Sequence, residues 1–254
     1  MDLLIVGINH HTAPIALREK IAFTSSQLAH ALTALKARAG LQELAILSTC
    51  NRTEIYAVHA YNAPETIIHW LADYHQLPAE MLKDSIYTYW GHSSIKHIMR
   101  VAAGLDSMIL GEPQILGQMK DCFNHAQDHQ VMGAELNRLC QNTYHVAKHI
   151  RSTTAIGQNP TSVASTSVVL AAQLFADIAD CNALLIGAGE TIGLVARHLK
   201  NAGVKKLVIA NRTLPNAQQL ATELSATATD LTDIPAQLAH ADIVISATAS
   251  ETPV

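Results

Sequence analysis

The stretch from Ala183 to Ser246 constrains the fold most, because it alternates short apolar runs with helical segments. Ala183-Leu184-Leu185-Ile186 predicts a strand, Glu190 to Lys200 a helix, Lys206-Leu207-Val208-Ile209-Ala210 a strand, and Pro215 to Leu224 a helix. After an irregular stretch, Asp242-Ile243-Val244-Ile245-Ser246 predicts a further strand. Such alternation feeds a parallel sheet through crossover helices, so this part reads as α/β and Rossmann-like. Gly187-Ala188-Gly189-Glu190-Thr191-Ile192-Gly193 follows the first strand and opens the first helix, the context for a dinucleotide phosphate turn. The match is imperfect, since the third glycine comes one position late and Ile192 stands where glycine is usual. The second strand ends in Asn211-Arg212-Thr213, which lacks an acidic residue for a ribose 2′-hydroxyl and offers an arginine suited to a 2′-phosphate. That combination favours NADPH, with Gly187, Gly189, Glu190, Thr191, Asn211, Arg212 and Thr213 as its binding residues. A generic strand-turn-helix with a surface arginine is the alternative.

The chain before this region follows a different plan. Leu3-Leu4-Ile5-Val6-Gly7-Ile8 predicts a central strand, and Pro14 can open a short helix through Ala22. Thr24-Ser25-Ser26-Gln27 has capping-box form, flanked by Phe23 and Leu28 as a staple, and Gly40 ends that helix. Glu43 to Leu47 predicts a buried strand, and Thr53 to His59 alternates like a half-buried one. A helix bearing Ile67, Ile68, Leu71 and Tyr74 and a strand from Ser85 to Trp90 complete a β-α-β-β-α-β order, the pattern of a ferredoxin-like α+β unit. Helices then follow, with Ile95 and Ile98, with Ile115, Met119 and Phe123, and with Leu136, Leu139 and Val146 inward. Ile156-Gly157-Gln158-Asn159-Pro160 breaks the pattern, giving an expected catalytic unit over 1–156 and a cofactor unit over 157–254. Ser162 to Ile178 is expected to open the second unit as an amphipathic helix.

At 254 residues the chain has length for two domains, and its net charge of −4 offers no overall basic field for nucleic acid. Cys50, Cys122, Cys140 and Cys181 are widely spaced, which suits a reducing cytoplasm and opposes both a disulfide framework and a cysteine zinc site. His125/His129 and His145/His149 have helical ligand spacing but no third partner, so no metal is expected. No apolar run approaches the roughly 20 residues that span a bilayer.

Ser48-Thr49-Cys50-Asn51-Arg52 lies between the two predicted central strands. A thiol at a strand end, with hydroxyls before it and a guanidinium two residues on, has a setting that favours thiolate, the form that attacks carbonyls. The alternative for Cys50 is a small buried hydrophobe. Gly104 to Gln114 is too rich in breakers for one regular element yet carries four polar side chains able to face a pocket.

Four motifs together resemble glutamyl-tRNA reductases: Gly7 to Pro14, Leu47 to Glu54, Gly104 to Ser107 with Gly111 to Gln118, and Gly187 to Glu190 with Asn211-Arg212-Thr213. They occur in that family's order and span nearly the whole chain. The resemblance implies NADPH-dependent reduction of glutamyl-tRNA to glutamate-1-semialdehyde, the first committed step of the five-carbon route to tetrapyrroles. It makes Cys50 the nucleophile that forms a glutamyl thioester and His97 a second catalytic residue. Arg52 would hold the substrate carboxylate; Thr49, Ser107, Gln114 and Gln118 would complete the pocket, and Glu112 would orient the substrate or receive its ammonium. Glutamyl-tRNA is the implied partner, and an aminomutase that accepts the semialdehyde a further one. Family members continue into a helical dimerisation domain, so this chain, ending at Val254, is expected to be a truncated form that leaves its last strand as an apolar edge. Two rivals remain: another NADP-dependent oxidoreductase with a shikimate-dehydrogenase-like cofactor domain, which leaves Cys50 without work, and a non-catalytic tRNA-binding or regulatory module.

Overall fold

Apolar strand segments and capped helices organise the first unit around one antiparallel sheet. The structure is a computed structural model that describes residues 2–58, 64–157, 163–175, 177–248 and 250. His59, the boundary residues Gln158 to Pro160, Ser162 and the terminal Glu251 to Val254 lie outside the described residues. The chain divides into two units, 1–160 and 161–254.

In the first unit the elements are β1 (Leu3–Asn9), α1 (Ile15–Lys20), α2 (Ser25–Ala39), β2 (Glu43–Ser48), β3 (Arg52–Val58), α3 (Pro64–Tyr74), α4 (Glu80–Lys83), β4 (Tyr87–Trp90), α5 (His92–Ala102), α6 (Gln114–Asp128) and α7 (Ala134–Thr153). The strands pair in the order β2-β3-β1-β4, antiparallel throughout, which is the ferredoxin-like arrangement expected. Leu3, Leu4, Ile5, Val6 and Ile8 of β1 are fully buried, each worth roughly 1.5–3 kcal/mol of burial. The predicted capping box forms at α2, where Gln27 Oε1 accepts the Thr24 N–H at 2.9 Å, and Gly40 ends the helix at φ +59°.

The structure corrects one expectation here. β3 is buried along its whole length instead of on one face. The Thr53 face meets the segment before α2, where Thr53 Oγ1 donates to Ile21 O, and Phe23 stacks on Trp70 of α3. The opposite face carries Arg52, Glu54 and Tyr56 and is covered by α5 and α6, with Tyr56 stacked on Phe123 at 5.9 Å. The helical extension thus closes the sheet face that a minimal ferredoxin-like unit leaves wet.

The second unit comprises α8 (Val163–Leu174), β5 (Asn182–Ile186), α9 (Glu190–Asn201), β6 (Lys206–Ala210), α10 (Leu214–Leu224), β7 (Thr227–Thr229), α11 (Ile234–Leu238) and β8 (Ile243–Ser246). Its parallel sheet runs β7-β6-β5-β8, so the chain reverses direction beside β5, the switch point where Rossmann-like sheets hold ligands. The stretch expected to be irregular contains β7 and α11, both too short to announce themselves by periodicity. Among the described residues β8 is an edge, with Val244 exposed. No helix of the described residues is long and apolar enough to cross a membrane.

Candidate active site

The hairpin joining β2 to β3 sets the position of Cys50. Its three-residue loop is closed by the Thr49 N–H donating to Arg52 O at 2.8 Å, while Thr49 Oγ1 accepts the N–H groups of Asn51 and Arg52 at 3.2 and 3.1 Å. Thr49 is therefore spent on turn geometry. Arg18, buried on α1, grips the loop from outside. Its Nη1 donates to Cys50 O and to Asn51 Oδ1, both at 2.8 Å, and its Nε donates to Ala13 O. Ser48 Oγ ties the base of the loop to the Phe23 N–H at 2.8 Å. Cys50 is exposed, whereas Cys122, Cys140 and Cys181 are buried, so the small-hydrophobe reading fits those three and not Cys50.

The electrostatics differ from the sequence expectation. Although the residue is exposed, protein atoms around it take part of the water from the thiol, and with the Glu112 carboxylate they push it above its ordinary range, opposed by the residue's own backbone N–H and by Arg18. The guanidinium that lowers it is that of Arg18, not Arg52.

Arg52 points instead into the face under α5 and is 1% exposed. Its Nη1 donates to Glu54 Oε1 at 2.6 Å, and its Nη2 donates to both the backbone oxygen of Asp106 and Asp106 Oδ2, the latter at 3.0 Å. Glu54, fully buried, also accepts from Tyr56 at 2.6 Å, Tyr87 at 2.6 Å and His97 Nε2 at 2.9 Å. Burial alone would raise the Glu54 pKa, but Arg52, then His97 and Tyr56, hold it well below the usual carboxylate range. An ionised carboxylate only accepts, so His97 Nε2 carries the proton between them. Gly7 opposite Glu54 makes room for this cluster, since a Cβ there would sit 2.8 Å from Glu54 Cγ and from Thr53 O.

Two of the expected site residues are thus held inside this cluster. His97 is 6% exposed, bonded to Glu54 and stacked on Tyr89 at 4.6 Å, so it braces the cluster and exchanges no hydrogen bond with Cys50. Arg52 has both terminal nitrogens on carboxylates of the protein, so its fork is already occupied. Ser107 adjoins Asp106 and has a buried hydroxyl without a partner. Glu112 lies close enough to act on the Cys50 thiol. Gln118 lines a separate cavity of about 340 Å³ with Phe23, Ser48, Asp121, Cys122 and His125. Among the described residues no hydrogen bond joins Gln114 or Gln118 to Cys50, Arg52 or Ser107. Arg18, Glu54, Tyr87 and Asp106 were missed in the sequence; the signal for Glu54 was opposite charges at alternate positions of one strand.

In the second unit, Gly187 is required by its φ of +114° and because a Cβ would collide with the Ala247 carbonyl oxygen. A cavity of about 320 Å³ is lined by Gly187, Gly189, Asn211, Arg212, Thr213 and Thr248 among others. Glu190 faces a different groove, along α9 and α10, and Thr191 lines neither. Ile192, fully buried, packs under the turn, where its Cγ1 would be 3.3 Å from a Cβ on Gly187. A Cβ on the late Gly193 would meet the Arg197 Nη1 of its own helix at 3.2 Å and Leu220 of α10 only at ordinary contact distance, 3.8 Å. The residue that replaces glycine in the fingerprint is thus a core residue. Asn211 Nδ2 donates to Thr213 O, fixing the exposed turn that presents Arg212. The cradle and its arginine fit a nucleotide phosphate.

Fold and sites define a two-unit α/β protein in which a thiol-bearing ferredoxin-like unit precedes a nucleotide-binding Rossmann-like unit. The family model for the N-terminal domain of glutamyl-tRNA(Glu) reductase matches residues 6–154, and that for shikimate/quinate 5-dehydrogenase matches 169–254. The chain belongs to the glutamyl-tRNA reductase family. The glutamyl-tRNA reductase of Chromohalobacter salexigens is 54% identical over 254 residues, and that of Saccharophagus degradans 54% identical over 253. All of this chain is covered, but only 60% and 59% of those relatives. The solved glutamyl-tRNA reductase of Methanopyrus kandleri is 31% identical with a TM-score of 0.61, covering 98% of this chain and 59% of that one.

Proposed function

We propose that this chain carries out NADPH-dependent reduction of glutamyl-tRNA to glutamate-1-semialdehyde through a thioester on Cys50. The observation that carries the reading is an exposed thiol on a turn pinned from three sides, above a buried charge cluster and in a chain that also holds a nucleotide cradle. The Cys50 thiolate attacks the ester carbonyl; the C–S bond forms, the bond to the tRNA ribose oxygen breaks, and that oxygen takes up a proton. When bound, NADPH supplies the hydride that takes the thioester to the aldehyde, returning the thiol. Arg18 holds the Cys50 carbonyl so that the side chain projects outward, and Arg212 takes the 2′-phosphate of the nucleotide. Arg52 receives the glutamyl carboxylate, Glu54 and His97 hold its guanidinium in place, and Ser107 supplies a hydroxyl to the same pocket. The aldehyde product is reactive, so an aminomutase that consumes it directly is a fitting partner.

The test is mass spectrometry of the full chain after mixing with glutamyl-tRNA, without NADPH. A glutamyl adduct on Cys50 that is absent from Cys50→Ser is the expected result. An adduct on another residue in place of Cys50, or none at all with folded protein, would overturn the thioester step.

A further inference from the structure

Resting on the reading of Arg52 as the carboxylate receiver, we infer that Asp106 occupies the substrate's place on Arg52 in the ligand-free protein and must leave it when substrate binds. Arg52 Nη2 donates to Asp106 Oδ2 at 3.0 Å, so a carboxylate already sits on the guanidinium. Asn9 Nδ2 adds a weaker contact to the same oxygen at 3.4 Å. This carboxylate is not locked in as Glu54 is. Asp106 is 15% exposed against 0% for Glu54.

Asp106 sits on a short closed loop. Gly104 and Gly111 form its neck, at φ +77° and +81°, and the Gly111 N–H donates to Gly104 O at 2.9 Å. Arg151 Nη1 fixes the far side of the neck through Gly111 O at 2.9 Å. Between these points Leu105 rests on the core and the Asp106 backbone oxygen accepts from Arg52, while Met108 and Leu110 are exposed, at 57% and 62%, so packing thins toward the tip. A second cation waits outside: Arg100 Nη2 lies 3.8 Å from Asp106 Oδ1 and is half exposed. Asp106 can therefore pass from Arg52 to Arg100 without losing its counter-charge, while Ser107, whose buried hydroxyl has no partner, gains one from the ligand. Asp106 thus sets the concentration of carboxylate that the pocket answers to.

The experiment measures protection of Cys50 from iodoacetamide by L-glutamate, in the full chain, with each variant checked by circular dichroism and thermal melting. Asp106→Asn is nearly isosteric and keeps the backbone contact to Arg52, but lacks the competing charge. We expect its half-protecting concentration to fall about tenfold, which corresponds to about 1.4 kcal/mol. Arg100→Gln removes the alternative partner and should raise that concentration. An unchanged or higher value for Asp106→Asn, with protection still abolished by Arg52→Lys, would refute displacement while leaving Arg52 as receiver. Protection that survives Arg52→Lys unchanged would overturn the Arg52 reading itself, and Asp106 displacement with it.

Discussion

Replacing Glu54 by Gln is the sharpest probe of what supports the candidate site. The carboxylate accepts four hydrogen bonds, from Arg52, Tyr56, Tyr87 and His97, and is fully buried. Glutamine keeps the shape, and the Tyr56 hydroxyl can turn to accept from the new amide, so packing is preserved. What is lost is the charge facing Arg52. Breaking a buried ion pair costs about 3–5 kcal/mol, and since Asp106 still pairs with Arg52 the lower end, about 3 kcal/mol, applies. For a unit of 160 residues that is a fall in Tm of about 6–12 °C. The sign with pH follows from the direction of the shift. Glu54 titrates below its unfolded value, so its contribution is whole above about pH 4.3 and is lost only as pH falls further, through the folded value. Calorimetry at pH 6 and pH 8 should accordingly show the same gap between wild type and variant. A shift under about 2 °C would mean that the cluster contributes no net stability, and a gap confined to one pH would assign the effect to a group other than Glu54.

Two further outcomes follow from the thiol and the cradle. Because the Cys50 thiol sits above its ordinary range and Arg18 opposes that shift, the pH midpoint of its alkylation should lie above about 8.5 and move higher still in Arg18→Gln; a midpoint that falls or stays would remove Arg18 from the thiol's electrostatics. Arg212→Ala should weaken NADPH by about one to two decades, the value of a charge-assisted contact of about 1.5–3 kcal/mol, and leave NADH nearly untouched. Calorimetric titration of both nucleotides checks this, and equal losses would show that Arg212 does not read the 2′-phosphate.

The long periodic elements were legible in the sequence because each signals its own burial. The β1 run, the α2 capping box and the alternation after Ala183 depend on neighbours within a few residues. What stayed hidden depends on a layer the local pattern cannot see. Arg52, Glu54 and Tyr56 alternate with Thr53, Ile55 and Ala57 and so read as one wet face of β3, yet α5 and α6 cover that face and turn the same residues into a buried network. Arg18 was hidden for the mirror-image reason. It lies in a short helix between Leu17 and Ile21, both buried, and only the fold brings it 2.8 Å from a carbonyl 32 positions away. The isoleucine in the phosphate turn was visible as an anomaly, but that it is a core residue lying under Gly187 is a matter of packing.

Why a charge cluster should lie beneath a reactive turn follows from the cost of imprecision. A nucleophile misplaced by about 1 Å loses on the order of a hundredfold in rate, so the turn that carries it has to be stiff before substrate arrives. Apolar packing fixes depth in a sheet but leaves side chains free to slide, whereas a buried carboxylate with four donors fixes direction as well. Glu54 therefore fixes Arg52, and Arg52 in turn fixes the end of β3 from which the Cys50 loop springs. That stiffness has a limit set by binding: a site closed on every side admits nothing. Here Glu54 takes its donors from the sheet and from α5, while both contacts of Arg52 to the loop are made by Asp106, through its backbone oxygen and Oδ2, on a segment with glycines at both ends. The division places precision on the strand and adaptability on the loop, so substitutions at Glu54 should register in stability and those at Asp106 in ligand concentration.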